Sequence, residues 1–242
     1  LESLEHHPEW VVHSSRFVIE TTSLLRLPEG VPGLRPLVIA LHGMGLTCEK
    51  FARTLSPLRR EPWALFVPQG PYPFEIRKEG SMSVGHAWYM YRGDEEEWHR
   101  YMLRAERDLL DRMDDILRRY PIDPDRVFLV GHSQGCYLGY FVALRHPDRF
   151  RGFAAVGGRL KRRFLEPHLE ASRGLPVLVL HGSEDRHVPV TAAHESRDLL
   201  ASYGHEVECR IHPTGHWIHP AQVRDLARWI RKKLEDPPKA AG

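Results

Sequence analysis

Gly131-His132-Ser133-Gln134-Gly135 sets one hydroxyl between two glycines, after the apolar run Phe128–Val130 and before a helix-like pattern. A strand that passes at once into a helix needs a turn too sharp for ordinary backbone geometry. The residue at its apex is strained, and its side chain projects above the sheet. Side chains at Gly131 or Gly135 would strike the neighbouring strand and helix. The apex also lies at a helix N-terminus, where free N–H groups and the helix dipole favour developing negative charge. Ser133 is therefore placed as a nucleophile. A carboxylate there would indicate dehalogenase-type chemistry and a thiol another hydrolase chemistry; Cys136, one turn into the helix, is expected in the core.

A serine hydroxyl alone is a poor nucleophile near neutral pH. It needs a base, and the base needs an orienting acid. In a parallel sheet both come from loops at the carboxyl ends of strands. "PVLVLHGSEDRHVP" offers Asp185, three residues past Gly182, with Pro189 stiffening the chain beyond it; Glu184 is the alternative. "CRIHPTGHWIHP" offers the base. His216 follows Gly215 in a turn that lets its imidazole swing toward Ser133. The alternatives are His212, still in the strand, and His219, beside Pro220 at the next helix start. Attack on a carbonyl creates an oxyanion, and each backbone donor lost there costs about 3–4 kcal/mol of transition-state stabilisation. The Gln134 N–H is one expected donor. The Met44 N–H, between Gly43 and Gly45 in "LHGMGLT", is the other.

The elements that must carry these residues alternate. Apolar runs at 37–43, 63–70, 127–132, 152–158 and 176–182 predict strands buried on both faces, and the alternating run 206–212 predicts a strand nearer an edge. Helical patterns fall at 48–59, 94–120, 133–145, 191–203 and 220–234. The longest has Trp98, Met102, Ala105, Leu109, Met113, Ile116 and Leu117 on one stripe, with Asp94 and Glu97 as a capping-box start and Pro121 as the stop. The class is α/β, one domain over 1–242 with a mostly parallel sheet. "RFVIET" and "LLRLP" predict an antiparallel hairpin within residues 11–27, at one edge. The segment from Gly70 to Gly93 is long and aromatic, and reads as a loop covering the site.

Composition excludes other classes. There are 34 Lys and Arg against 32 Asp and Glu, a formal charge of +2, so nothing favours nucleic acid or an anionic membrane. Lys161-Arg162-Arg163 reads as a solvated helix or loop end. No apolar run reaches the ~20 residues of a membrane span. Three cysteines (Cys48, Cys136 and Cys209) lack zinc or redox spacing and read as reduced thiols in a cytoplasmic protein. The polar N-terminus, which lacks an initiator Met, does not read as a signal peptide. His212, His216 and His219 have helix-like metal spacing, but Pro213 and Gly215 break any helix there, so no metal is expected.

Together "LHGMG", "GHSQGCYLG", "LHGSEDRHVP" and "HPTGHW" resemble the α/β-hydrolase superfamily. The chain is most similar to its phospholipase/carboxylesterase family, which includes acyl-protein thioesterases, over about Leu37 to Leu234. The resemblance implies helices on both faces of the sheet, Ser133, Asp185 and His216 as triad, Met44 and Gln134 as oxyanion donors, and no cofactor or metal. It implies a serine carboxylesterase acting on a small-molecule ester through an acyl-enzyme. A thioesterase, lysophospholipase or peptidase on the same triad is the alternative. A non-catalytic binding module of this fold would usually lack a triad member, and none is missing. "HAWYMYRG" matches a Trp-centred segment near the family's substrate, which implies Trp88 as a substrate contact, with Trp217 beside His216 as a second. Leu46 stands where the family's oxyanion loop continues with an acidic residue.

Overall fold

Successive residues of a strand point to opposite faces, so a strand apolar at every position needs cover on both. The computed structural model describes residues 18–237, and its strand β2 (Arg35–Leu41) has that cover. Leu37, Ile39 and Leu41 enter one core cluster, while Val38 and Ala40 enter a second cluster on the other face. The same division recurs along β3 (Ala64–Pro68), β6 (Ile122–His132), β7 (Gly152–Val156) and β8 (Val177–Gly182). With β1 (Ser23–Arg26) and β9 (Val207–His212), these make a seven-stranded sheet of order β1-β3-β2-β6-β7-β8-β9. Only β1 runs antiparallel.

Helices cover both faces. On one side lie α2 (Glu95–Arg119), α3 (Gln134–Arg145), α4 (Arg162–Leu169) and α5 (Thr191–Ser202). On the other lie α1 (Cys48–Thr54) and α6 (Pro220–Glu235). The α2 stripe from Trp98 to Ile116 is buried as its spacing predicts, and each of its large aliphatic side chains contributes about 1.5–3 kcal/mol when fully removed from water. Asp94 caps this helix by accepting from the Glu96 and Glu97 N–H groups, both at 2.9 Å. The Glu97 side chain does not close a capping box; it pairs with Arg92 instead.

The carboxyl ends of the parallel strands are level. Leu41 pairs with Gly131, His132 with Val156, and Gly182 with His212. Chain order reverses between β2 and β6, so their outgoing loops diverge and leave a crevice there. Thus the turn after β2, the serine turn after β6 and the loops after β8 and β9 all open on one rim.

Three expectations need correction. Ser23–Arg26 pairs with β3 and not with the segment before it; Val18–Thr22 is not strand, and residues 11–17 of the expected hairpin lie outside the described residues. The segment 70–93 is a loop only in its last part, residues 88–93. Its first part is a hairpin of β4 (Tyr72–Lys78) and β5 (Ser81–Ala87), paired from Tyr72↔Ala87 to Lys78↔Ser81. Helix α4 was not anticipated, because Pro167 lies inside it.

Candidate active site

Ser133 has φ 52° and ψ −116°, the one non-glycine residue with positive φ among those described. The glycines explain how so tight a turn fits. A Cβ on Gly131 would lie 2.2 Å from the Gly135 carbonyl oxygen, and one on Gly135 would lie 2.4 Å from the Leu41 carbonyl oxygen. The Ser133 N–H donates to the Val156 carbonyl at 2.9 Å, tying the apex to β7.

The Ser133 hydroxyl lies 2.8 Å from His216 Nε2, and His216 Nδ1 lies 2.6 Å from Asp185 Oδ2. Asp185 Oδ1 accepts from the N–H groups of His187 and Val188, both at 2.9 Å. Burial pushes the Asp185 carboxyl up. The Val188 N–H, the His216 ring and the His187 N–H together outweigh it and hold the pKa below the usual aspartate value. Asp185 is therefore an anion facing Nδ1, so Nδ1 carries the proton and Nε2 presents its lone pair to the serine. Glu184 is exposed, with its backbone N–H on the Thr214 carbonyl. The other histidines are engaged elsewhere. His212 faces Asp225 at 3.2 Å, and His219 caps α6 by accepting from the Ala221 N–H.

Met44 and Gln134 both line the same cleft as Ser133. Among the described residues no acceptor takes the Met44 N–H. The Gln134 N–H belongs to the first turn of α3, where helix N–H groups lack intrahelical partners. Trp217 is 61% exposed and lines the cleft on the His216 side. Trp88 does not line a cleft. It is 1% exposed, and its Nε1–H donates to the His42 carbonyl at 2.8 Å, so its ring has no surface for substrate.

Residues 32–234 match the family described as Phospholipase/Carboxylesterase. The chain belongs to the phospholipase/carboxylesterase family. It is 26% identical over 224 residues to acyl-protein thioesterase 1 of Gibberella zeae, covering 84% of this chain and 91% of that one. It is 28% identical over 116 residues to carboxylesterase SOBER1 of Arabidopsis thaliana, covering 47% of this chain and about half of the relative, 51%. The crystal structure of esterase PE8 superposes with a TM-score of 0.73 at 22% identity, covering 88% of this chain and 99% of that one. The fold is that of the α/β-hydrolases, and membership of this family makes the chain an ester hydrolase. No described helix is long and apolar enough to cross a membrane.

Several polar groups behind this family member's site have no signature in the sequence. His42 Nδ1–H donates to the Gly43 carbonyl at 2.8 Å, and its Nε2 accepts from the Gly70 N–H at 2.9 Å. His132 Nε2–H donates to the His216 carbonyl at 3.0 Å, bracing the loop that carries the base. Asp185, His187 and His216 could each offer a metal one donor atom within 4.8 Å of one another. Asp185 and His216 already hold each other.

Burial lowers the pKa of both His42 and His132 to about 4, against the opposing hydrogen bonds to the Gly43 and His216 carbonyls. The unfolded chain protonates these imidazoles near 6.5. Between those values the unfolded state binds more protons, so stability rises with pH, by up to about 1.4 kcal/mol per pH unit for each group. The contribution is complete above about pH 6.5 and is lost as pH falls toward 4. Thermal melts should show Tm falling steadily from pH 7 to pH 5. A flat Tm over that interval would mean that these rings are protonated within the fold.

Proposed function

We propose that this chain is a serine carboxylesterase working through an acyl-enzyme. The observation that carries the reading is the unbroken run of hydrogen bonds from Asp185 through His216 to Ser133. His216 Nε2 takes the Ser133 proton as Oγ attacks the ester carbonyl carbon. The oxyanion is met by the Met44 and Gln134 N–H groups. The imidazolium then gives its proton to the leaving alkoxide, and an ester to Ser133 remains. A water, deprotonated by the same ring, attacks that ester. Collapse of the second tetrahedral intermediate breaks the bond to Oγ, which takes the proton back from His216.

The position of the base sorts the two clefts that meet at Ser133. One, of about 650 Å³, is lined by His216, Trp217, Leu46, Phe51 and Ile218 among others. The other, of about 420 Å³, is lined by Met44, Gln134, Met90, Tyr91 and Tyr137 among others, and His216 is not part of it. His216 must reach the leaving oxygen, so the alcohol occupies the first cleft and the acyl chain the second. The acyl cleft is toward the small end of the range for drug-sized ligands, which suits short to medium acyl chains over long ones.

Initial rates on p-nitrophenyl esters of increasing acyl length, with matched thioesters, test this. Turnover is expected to peak at short to medium chains and to favour the oxygen ester. Similarity to an acyl-protein thioesterase motivates the second reading. Rates that climb to long chains and favour thioesters would replace the first reading with it. No turnover of either series, with no labelling of Ser133 by an organophosphonate, would remove both.

A further inference from the structure

The two proposed oxyanion donors lie on separate pieces of chain, the turn after β2 and the start of α3. A hole for one oxygen atom works only if the distance between those pieces is held. The stretch His86–Tyr89, at the exit of the β4–β5 hairpin, is bonded to both. On the β2 side it forms a one-residue antiparallel bridge, Leu46↔His86. The Gly45 N–H donates to the His86 carbonyl at 2.9 Å, and the His86 N–H donates to the Leu46 carbonyl at 3.2 Å. On the α3 side the contact runs through the Gln134 side chain. Its Oε1 accepts from the Trp88 N–H at 2.8 Å, and its Nε2–H donates to the Tyr89 carbonyl at 2.9 Å. Those partners, one donor and one acceptor, leave the amide a single orientation. The buried carboxamide is thus turned to the hairpin. The Trp88 indole adds a third tie, to the His42 carbonyl just before the turn.

Packing sets how close the pieces come. A Cβ on Gly85 would lie 2.7 Å from both Gly45 Cα and the Gly45 carbonyl oxygen, and 2.6 Å from Ile76 Cδ1. Ile76 could rotate away, but Gly45 backbone could not yield without moving its neighbour Met44. Gly45 itself has φ +85°, where a substituted residue would be strained.

We propose that the His86–Tyr89 strip is a strut that sets the separation of the Met44 and Gln134 N–H groups. Gln134's carboxamide and the bare Cα of Gly85 are its positioning elements. This rests on the serine-esterase reading, because it presupposes that those N–H groups meet an oxyanion. The role differs from that of a lid. The strut acts through its backbone bonds to the two donor pieces, with Tyr89 bordering the acyl cleft, and its effect falls on the transition state, where charge on the oxygen is greatest.

The test compares Gly85→Ala, Gln134→Met and the control Val84→Ala with wild type on a p-nitrophenyl ester. Val84 neighbours Gly85 on the same strand, but its side chain is exposed. A misplacement on the order of 1 Å costs about 100-fold. Gly85→Ala is expected to lower kcat about 10- to 100-fold with KM within about twofold. Affinity for an alkyl boronate, whose tetrahedral adduct carries an anionic oxygen, should fall by a similar factor. Val84→Ala should match wild type. Stoichiometric phosphonate labelling of Ser133 counts folded sites, so loss of fold is separated from loss of positioning. Should Gly85→Ala fold poorly, Gln134→Met supplies the same measurement from the other end of the strut. An unchanged kcat in either variant, or a KM that rises while kcat and boronate affinity hold, overturns the proposal. Wild-type turnover and labelling report on the esterase reading separately.

Discussion

Ser133→Ala should lower ester turnover by about 10⁵- to 10⁶-fold and leave the protein folded. The effect is that large because the serine, its base and its acid act as one unit. Without Oγ the imidazole has no proton to take, and water must attack the ester directly. What remains is binding and the oxyanion donors, worth about 10³- to 10⁴-fold over the reaction in water. The fold should not suffer. The substitution removes one side-chain hydrogen bond, from a partly exposed pair, and alanine accepts φ 52° no less readily than serine. Ser133→Gly is a sharper companion. Glycine relieves the strain at this backbone position, roughly 1–3 kcal/mol, so that variant should melt above wild type while being as inactive. An alanine variant with wild-type turnover would locate the nucleophile elsewhere. A glycine variant that melts lower would mean that the turn stores no strain.

The parts of this protein that were legible in its sequence are those where one local requirement admits few residues. The turn at Ser133 needs small residues on both sides, and both glycines prove to lie within 2.4 Å of backbone atoms as judged by the Cβ each lacks. Asp185 and His216 follow from β8 and β9, because loops at the carboxyl ends of level parallel strands have one rim to share. The β4–β5 hairpin was missed although Phe74 and Ile76 alternate with Glu75 and Arg77, and Glu79-Gly80 marks a turn. Its aromatic residues, Tyr72 and Phe74 with Trp88 to Tyr91 beyond, overlie that period of two. Other features had no local signal. The partner of β1 is chosen by packing and not by its own four residues. The Gln134 carboxamide and the rings of His42 and His132 meet groups up to 84 positions away. Sequence pattern separates buried from exposed apolar residues, but it does not show which buried amide faces which carbonyl.

The orienting acid gives the second large effect. Asp185→Asn should lower kcat/KM about 10⁴-fold while keeping the geometry of the site. The groups around the carboxylate set the direction. Oδ1 receives two N–H groups, from His187 and Val188. In the asparagine variant only the amide oxygen can meet them, so the NH₂ group must turn to His216. Nδ1 of the ring then has to accept, its proton moves to Nε2, and Nε2 donates to Ser133 where it should take a proton. The base is present but in the wrong tautomer. Glu184→Gln, the same chemical change one residue earlier, should leave turnover within about twofold, since that side chain is exposed. Measured side by side under one assay, the pair decides which carboxylate serves the histidine. If the Glu184 variant proves the inactive one, the assignment of Asp185 fails, and with it the orientation of the imidazole on which the proposed proton transfers depend.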